Sequence, residues 1–348
     1  MDSEINQNKI IAHIAGLTEQ TKENLYMLLE KSIINKYIEI IDVDIFTNRI
    51  IEDKNMEILF SNYEYYISRA KDKNLSQTEN KSSLAKSKNI EKKMFQYWRV
   101  KMEYYINKIL SKTDKKVLLV GYLSFFKNHR ININLNIISK FFVKVDSEQH
   151  AKSIIKYNLE FSKNNIINGE FDLDYLNIDF LIKKRLLLQS IYNKLNYILM
   201  NMTSIINILE LKYQTTMPSI LYYTSFKKYD KKIPILTNML YAYTEEWLAL
   251  TSILASEDNI NKINTIQTNV EKGINKNGKF YLKLNEEQYT KFNNSGYIYE
   301  IIITDDFLPF PTKNNIYKYF TIKPIKINRT LYIDNIIDQL KELKINII

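Results

Sequence analysis

Gly16, Lys22, Asp42 and Asp44 are the residues of this 348-residue chain whose types and spacing best suit phosphate chemistry. A working phosphate-binding loop reads G-x-x-x-x-G-K-[S/T] between a strand and a helix. Its glycines let backbone N–H groups turn inward on phosphate oxygens, its lysine neutralises their charge, and its hydroxyl ligates Mg²⁺. Here the segment is Gly16-Leu17-Thr18-Glu19-Gln20-Thr21-Lys22-Glu23. Gly16 and Lys22 stand in the right places. Thr21 replaces the second glycine and adds a Cβ where such a loop often needs a conformation that only glycine takes cheaply. Glu23 replaces the hydroxyl residue, and Glu19 adds a second carboxylate. Carboxylates facing a triphosphate at about 4 Å cost on the order of several kcal/mol even near a surface.

The elements around this segment must supply its position. Residues 9–15 form an apolar run ending at Gly16, and Leu25, Leu28, Leu29 and Ile33 then recur at helical spacing over about 22–36. Residues 37–46 read as a second strand carrying Asp42 and Asp44 at its acidic end. Strand, turn, helix, strand makes a βαβ unit with parallel strands. The run 116–123 reads as a buried central strand closed by Gly121, and 140–146 as another. Residues 70–93 are rich in Lys, Ser, Asn, Gln and Glu and read as a mobile insertion, with a helix following over about 91–111. A long helical stretch covers about 173–213. Beyond Met217-Pro218 come strand-like pieces at 219–225, 279–284, 297–304 and 318–327, and helices at about 244–255 and 333–343. The expected fold class is therefore α/β: a parallel-sheet domain over 1–212 and a second, smaller α+β domain over 213–348.

Taken in order, His13-Ile-Ala-Gly16 … Lys22, Ile41-Asp42-Val43-Asp44-Ile45-Phe46, Val117-Leu-Leu-Val-Gly121 and Phe141-Phe-Val-Lys-Val-Asp146 resemble the P-loop nucleotide and nucleoside kinase-like proteins of giant DNA viruses. The resemblance covers about residues 9–210. It implies that Gly16, Thr21, Lys22 and Glu23 occupy the nucleotide site and that Lys22 and Asp44 carry what remains of catalysis. It also implies that Asp42, with Lys152 and Lys156 of the helix at 147–165, belongs to the acceptor or lid region, with Mg-ATP as the cofactor to test. That lid helix has lysines but no Arg, where the family has basic residues that stabilise the transferring phosphate. No acid closes the strand at 117–121. Solvated strand-end carboxylates remain an equal reading of Asp42 and Asp44. The expected function is a viral pseudokinase kept for an interaction or structural role. A divergent active nucleotide or polynucleotide kinase, with Asp44 and Glu23 holding metal, is the alternative from the enzyme class.

Composition narrows the rest. The chain has no cysteine and three histidines (His13, His129, His150) far apart, which removes disulfides, thiolate chemistry and Cys-based zinc sites and argues against a His-rich metal site. No run of about 18 uncharged apolar residues and no basic-then-apolar leader are present, so neither a membrane partner nor secretion is expected; the expected location is the host cytoplasm or the virion. The formal net charge of +10 makes a nucleic-acid-associated virion or replication protein a third reading, with other viral proteins as further candidate partners. Against it stands an A/T-rich codon bias, since Ile, Asn, Lys, Tyr and Phe are abundant and the lysines look scattered along the sequence. Lys86-Ser-Lys-Asn-Ile-Glu-Lys-Lys93 is the densest basic cluster. In the second domain, Leu240-Tyr-Ala-Tyr-Thr-Glu-Glu-Trp-Leu-Ala-Leu250 faintly resembles ADP-ribosyltransferase-like domains. It nominates Tyr241, Thr244 and Glu246, although core aromatics and a helix first turn are the favoured reading of these residues.

Overall fold

The computed structural model describes residues 9–123, 135–164, 177–214, 217–234, 240–254, 271–274, 279–310, 318–321 and 323–348. The chain divides into two compact units, Met1–Met202 and Thr203–Ile348. The first is α/β, with a five-stranded, all-parallel sheet, and the second carries an antiparallel sheet with helices.

In the first unit β1 (Ile10–Ala15) is buried along its whole length, the pattern of a central strand covered on both faces. It pairs with β3 (Lys116–Val120) on one side and β4 (Ile137–Val143) on the other. Outside them lie β2 (Ile38–Asp42) and β5 (Ile198–Met200), giving the order β2-β3-β1-β4-β5. Alternate residues serve opposite faces. Ile10, Val117, Leu119 and Ile137 pack with Trp98, Met102 and Ile106 of α4 (Gln77–Leu110). Ala15 and Phe142 pack with Leu188 and Tyr192 of α6 (Ile178–Lys194).

Three sequence expectations change here. The predicted second strand stops at Asp42, which instead caps α2 (Val43–Ile51), accepting from the Asp44 N–H at 2.9 Å. A residue whose carboxylate satisfies a free helix N–H ends a strand more firmly than apolar neighbours extend it. The helical stretch at 173–213 is interrupted by β5, so it becomes α6 and α7 (Met202–Gln214). And residues 70–93, expected as an insertion without regular structure, are helical apart from the short connection at 72–76. α3 (Lys54–Lys71) leads into α4, which is 34 residues long, about 51 Å at 1.5 Å per residue. Ser76 and Glu79 form a reciprocal capping box at its start. Its buried stripe runs Ser83, Ser87, Met94, Trp98, Met102, Ile106, Leu110. The first two seam positions are serines, so the stripe is invisible to a hydrophobicity count although the spacing is helical.

In the second unit, seven strands are ordered β12 (Leu308–Pro309), β13 (Lys318–Thr321), β8 (Leu240–Tyr243), β6 (Ile220–Ser225), β11 (Gly296–Ile302), β14 (Ile325–Ile333) and β7 (Lys232–Ile233). Its centre is β6 (Ile220–Ser225) against β11 (Gly296–Ile302), antiparallel, with β14 (Ile325–Ile333) beyond. Tyr223, Tyr299 and Ile301 face one core, while Ile298 and Ile333 face another that includes Leu250 of α8 (Glu246–Leu250) and Ile336, Ile337 and Leu340 of α10 (Ile336–Glu342). The predicted strand at 318–327 is two strands: β13 (Lys318–Thr321), which pairs with β8 (Leu240–Tyr243), and the start of β14. His129, Tyr317 and the last residue of the helix expected at 244–255 lie outside the described residues.

Candidate functional site

The segment 16–23 does not form a phosphate loop. α1 (Glu19–Lys31) begins only three residues after Gly16, so Glu19 to Glu23 are its first turn and a half. The reason is local. Thr18 is the N-cap, and its Oγ1 accepts from the Thr21 N–H at 3.2 Å while the Thr21 Oγ1 accepts from the Thr18 N–H at 2.5 Å. These two threonines satisfy amides that an open loop would turn toward phosphate. Thr21 therefore sits in ordinary helical backbone and needs no glycine conformation. Glu23 is exposed on the outer side of α1.

Lys22 is 3% exposed and points inward to the carboxyl ends of β2 and β3. Its Nζ lies 2.6 Å from Asp44 Oδ2, 3.1 Å from Asp42 Oδ2 and 3.2 Å from Glu19 Oε1. Burial opposes its charge, but these carboxylates outweigh burial and hold its pKa above the ordinary lysine value. Burial pushes the Asp44 carboxyl up, against the pull of Lys22 and of the Tyr122 N–H, which donates to Asp44 Oδ1 at 2.9 Å. Tyr26 donates to Asp42 at 3.2 Å. Asp42 and Asp44 are thus held by hydrogen bonds and ion pairs rather than left as loose strand-end carboxylates. They clamp α1 and α2 to the residues after β3.

One glycine makes room for this clamp, and a second makes room for Arg185. Gly121 has φ +113°, and a Cβ there would stand 2.7 Å from Asp44 Oδ2. Gly16 has φ +82°, and its Cβ would meet Arg185 Nη1 at 2.9 Å and Phe142 at 3.0 Å. Gly121→Ala is expected to lower stability by on the order of 1–3 kcal/mol, from a left-handed backbone that disfavours a side chain and a displaced Asp44. Chemical denaturation measures it; an unchanged midpoint would mean the clamp is dispensable.

Arg185 is the functional-looking residue that sequence reasoning missed. It is 2% exposed, donates from Nη1 to the Gly16 carbonyl at 2.7 Å and from Nη2 to the Val143 carbonyl, and lies over the Phe142 ring at 4.4 Å. The helix at 147–164 carries no arginine, yet Arg185 from the next helix ties together the ends of β1 and β4. Its signal was present: Leu181, Arg185, Leu188 and Tyr192 share one helical stripe, and all four are buried. His13, buried beneath, accepts from the Tyr197 hydroxyl through Nδ1 (2.6 Å) and donates from Nε2 to the Gly121 carbonyl (2.9 Å).

In this strand order the chain leaves β1 toward β2 and leaves β4 toward β5, in opposite directions. The carboxyl ends of β1 and β4 therefore flank the switch point where open α/β sheets place ligands. A cleft of about 350 Å³ lies there, between α1 (Thr18, Gln20, Thr21, Asn24) and α5 (Ser147–Asn164), which contributes Gln149, His150, Lys152, Ser153 and Lys156. Lys152 is paired with Glu148 at 2.6 Å, and Ser153 donates to Gln20 at 2.6 Å across the cleft. The expected site residues are thus split. Thr21, Lys152 and Lys156 line the cleft, Lys22, Asp42 and Asp44 form the clamp with Gly121 beside it, Gly16 meets Arg185 instead, and Glu23 belongs to neither.

In the second unit Thr244 and Glu246 line a cavity of about 390 Å³ with Glu245, Tyr222, Trp247 and Phe280. Tyr241 does not line it. Its ring instead lies under the Lys318 ammonium at 3.6 Å, so the three nominated residues do not converge. Among the described residues no helix is long and apolar enough to cross a membrane, and no group of three or more His, Asp or Glu could hold a metal ion.

The class this fold defines is an α/β protein with a parallel five-stranded sheet, joined to an antiparallel-sheet unit. Comparison with protein-family models, with curated proteins and with solved structures finds no match for the chain.

Proposed function

We propose that the first unit is a nucleotide-kinase-like scaffold that has lost phosphoryl transfer, a giant-virus pseudokinase retained for an interaction or structural role. One observation carries this reading: the lysine that would meet phosphate is buried among three carboxylates. A triphosphate approaching the start of α1 meets Glu19, finds the Thr18 and Thr21 amides bonded to side chains, and finds Lys22 engaged by Asp44, Asp42 and Glu19. Freeing Lys22 would leave Asp44 desolvated and unpaired, a cost of several kcal/mol that the incoming phosphate charge only adds to. The residues present therefore do not fit Mg-ATP held as a phosphate loop holds it.

Thermal-shift titration with Mg-ATP, Mg-GTP and the nucleoside monophosphates tests this. The melting temperature is expected to stay within 1 °C up to millimolar nucleotide, because a ligand that does not bind the folded chain adds nothing to its stability. A saturable rise of several degrees that Lys22→Ala abolishes would overturn the reading in favour of a divergent kinase.

A further inference from the structure

We infer that the helical hairpin α3–α4 is a nucleic-acid-binding arm that grips the phosphate backbone without reading bases. This goes beyond the pseudokinase reading and does not depend on it.

Charge is the first observation. Residues 54–110 hold twelve Lys and Arg against six Asp and Glu, so 57 residues carry +6 of the chain's +10. The distal part, 69–93, holds eight basic residues against three acidic ones. A codon bias toward lysine acts on the whole chain, yet the other 291 residues together carry only +4. Composition does not account for such a concentration on one element.

Placement is the second. Lys81, Lys88 and Lys92 fall on one row of α4, spaced by seven and four residues, and Lys86 and Lys93 on a second row about a third of a turn round the helix, spaced by seven. The buried positions Ser83, Ser87 and Met94 lie on the side away from the first row and about a quarter turn from the second, so both rows face outward. All five lysines are exposed, as are Lys71 and Lys73 beside the turn of the hairpin. Among the described residues Lys71, Lys73, Lys81, Lys88, Lys92 and Lys93 make no salt bridge, whereas Lys22, Lys101, Lys152 and Lys291 all do. Lys86 lies over the Tyr66 ring of α3 at 5.3 Å, which pins the two helices together and holds its ammonium at the surface.

Physics then selects the partner. Ammonium groups held as unpaired point charges bind phosphate through counterion release, which depends on charge density and not on sequence. From Lys81 to Lys93 is about 18 Å of helix, a length that spans about five phosphates of one strand at 3.4 Å each. The rigid helix keeps these charges at fixed spacing, so little ordering entropy is lost on binding.

Fluorescence anisotropy of the full chain with labelled 30-nucleotide single-stranded DNA, the matching duplex and an RNA of the same sequence, over 50–300 mM salt, tests the inference. Binding with a log–log salt slope near −4.5 for the duplex and near −3.5 for the single strands is expected, with less than tenfold difference between sequences of equal length. Lys86→Glu, Lys88→Glu, Lys92→Glu and Lys93→Glu combined are expected to weaken binding at least 100-fold. The four Gln replacements, which preserve helix propensity, are expected to flatten the slope by about three. A matched control reverses Lys227, Lys228, Lys231 and Lys232 of the second unit, all exposed, and is expected to cost less than fivefold. Circular dichroism confirms that every variant keeps its helix content. Equal losses from the two reversals would overturn the assignment to the hairpin. So would salt-independent binding, absence of binding at 50 mM salt, or capture by phosphatidylserine vesicles without capture by nucleic acid.

Discussion

Replacing Lys22 with alanine is expected to destabilise the first unit by about 2–3 kcal/mol, although an ordinary phosphate-loop lysine could be removed at little structural cost. Removing one partner of a buried ion pair costs about 3–5 kcal/mol, because the charge left behind stays desolvated. Here the Lys22 side chain is 3% exposed, while those of Asp42 and Asp44 are 15% and 26% exposed, so water relieves part of the penalty. Lys22→Met combined with Asp44→Asn removes both charges and leaves an oxygen to accept from the Tyr122 N–H. That pair is expected to recover more than half the loss, and the double-mutant cycle isolates the coupling. The chain has two tryptophans, Trp98 and Trp247. In a Trp247→Phe background Trp98, buried against the first sheet, reports unfolding of that unit alone. A Lys22→Ala midpoint within 0.5 kcal/mol of the parent would show that the clamp holds nothing.

Acid is expected to weaken the chain between pH 6.5 and 5, above the range in which most carboxylates titrate. Burial, opposed by the hydrogen bond to Gly121 and helped by Lys140, pushes His13 down to about 3. Burial, helped by the Arg185 charge, pushes His150 down to about 4. Unfolded histidines titrate near 6.5. Below that pH the unfolded chain takes up two protons that the folded chain refuses, so its stability falls as pH falls, by about 1.4 kcal/mol per pH unit for each group. At pH 5 the combined loss is about 3–4 kcal/mol relative to pH 7. Urea midpoints at the two pH values measure it. His13→Gln and His150→Gln are each expected to remove about half of the difference whatever they do to stability at pH 7. A difference that survives both substitutions would place its origin elsewhere.

Much of the first sheet was legible because continuous apolar runs bounded by glycine have few other solutions. Residues 9–15 and 116–120 could only be buried strands, and the helix between Gly16 and Tyr37 followed from Leu25 and Leu29. The mixture of strands and helices in the second unit was legible from its short strand-like pieces, but their antiparallel pairing came only from the structure. β5 was not, since three residues between two helices give no periodicity to read. The long helix α4 was hidden by serines at its seam: alternation of polar and apolar residues measures transfer free energy, whereas a helix–helix seam also accepts small residues that let the partner come close.

The site residues were legible as a set and misread in role. Lys22, Asp42 and Asp44 do cluster, whereas Gly16 meets Arg185 and Phe142. Chain order could not tell that α1 starts at Glu19, because a Thr-Glu-Gln-Thr turn competes with an open loop through side-chain hydrogen bonds of about 1 kcal/mol each. Nor could it tell that Arg185, 169 residues after Gly16, donates to the Gly16 carbonyl.

By itself, then, the sequence determined the parallel sheet and the excess of positive charge, whereas the division after Met202 falls ten residues before the expected one at 212. The sheet and the charge were readable because burial patterns and formal charge are properties of residue types in order. Tertiary structure alone decided where Lys22 points, which carboxylates surround it, and which of the scattered lysines share a face. Those depend on distances between residues far apart in the chain, and electrostatic energy follows distance and burial in space.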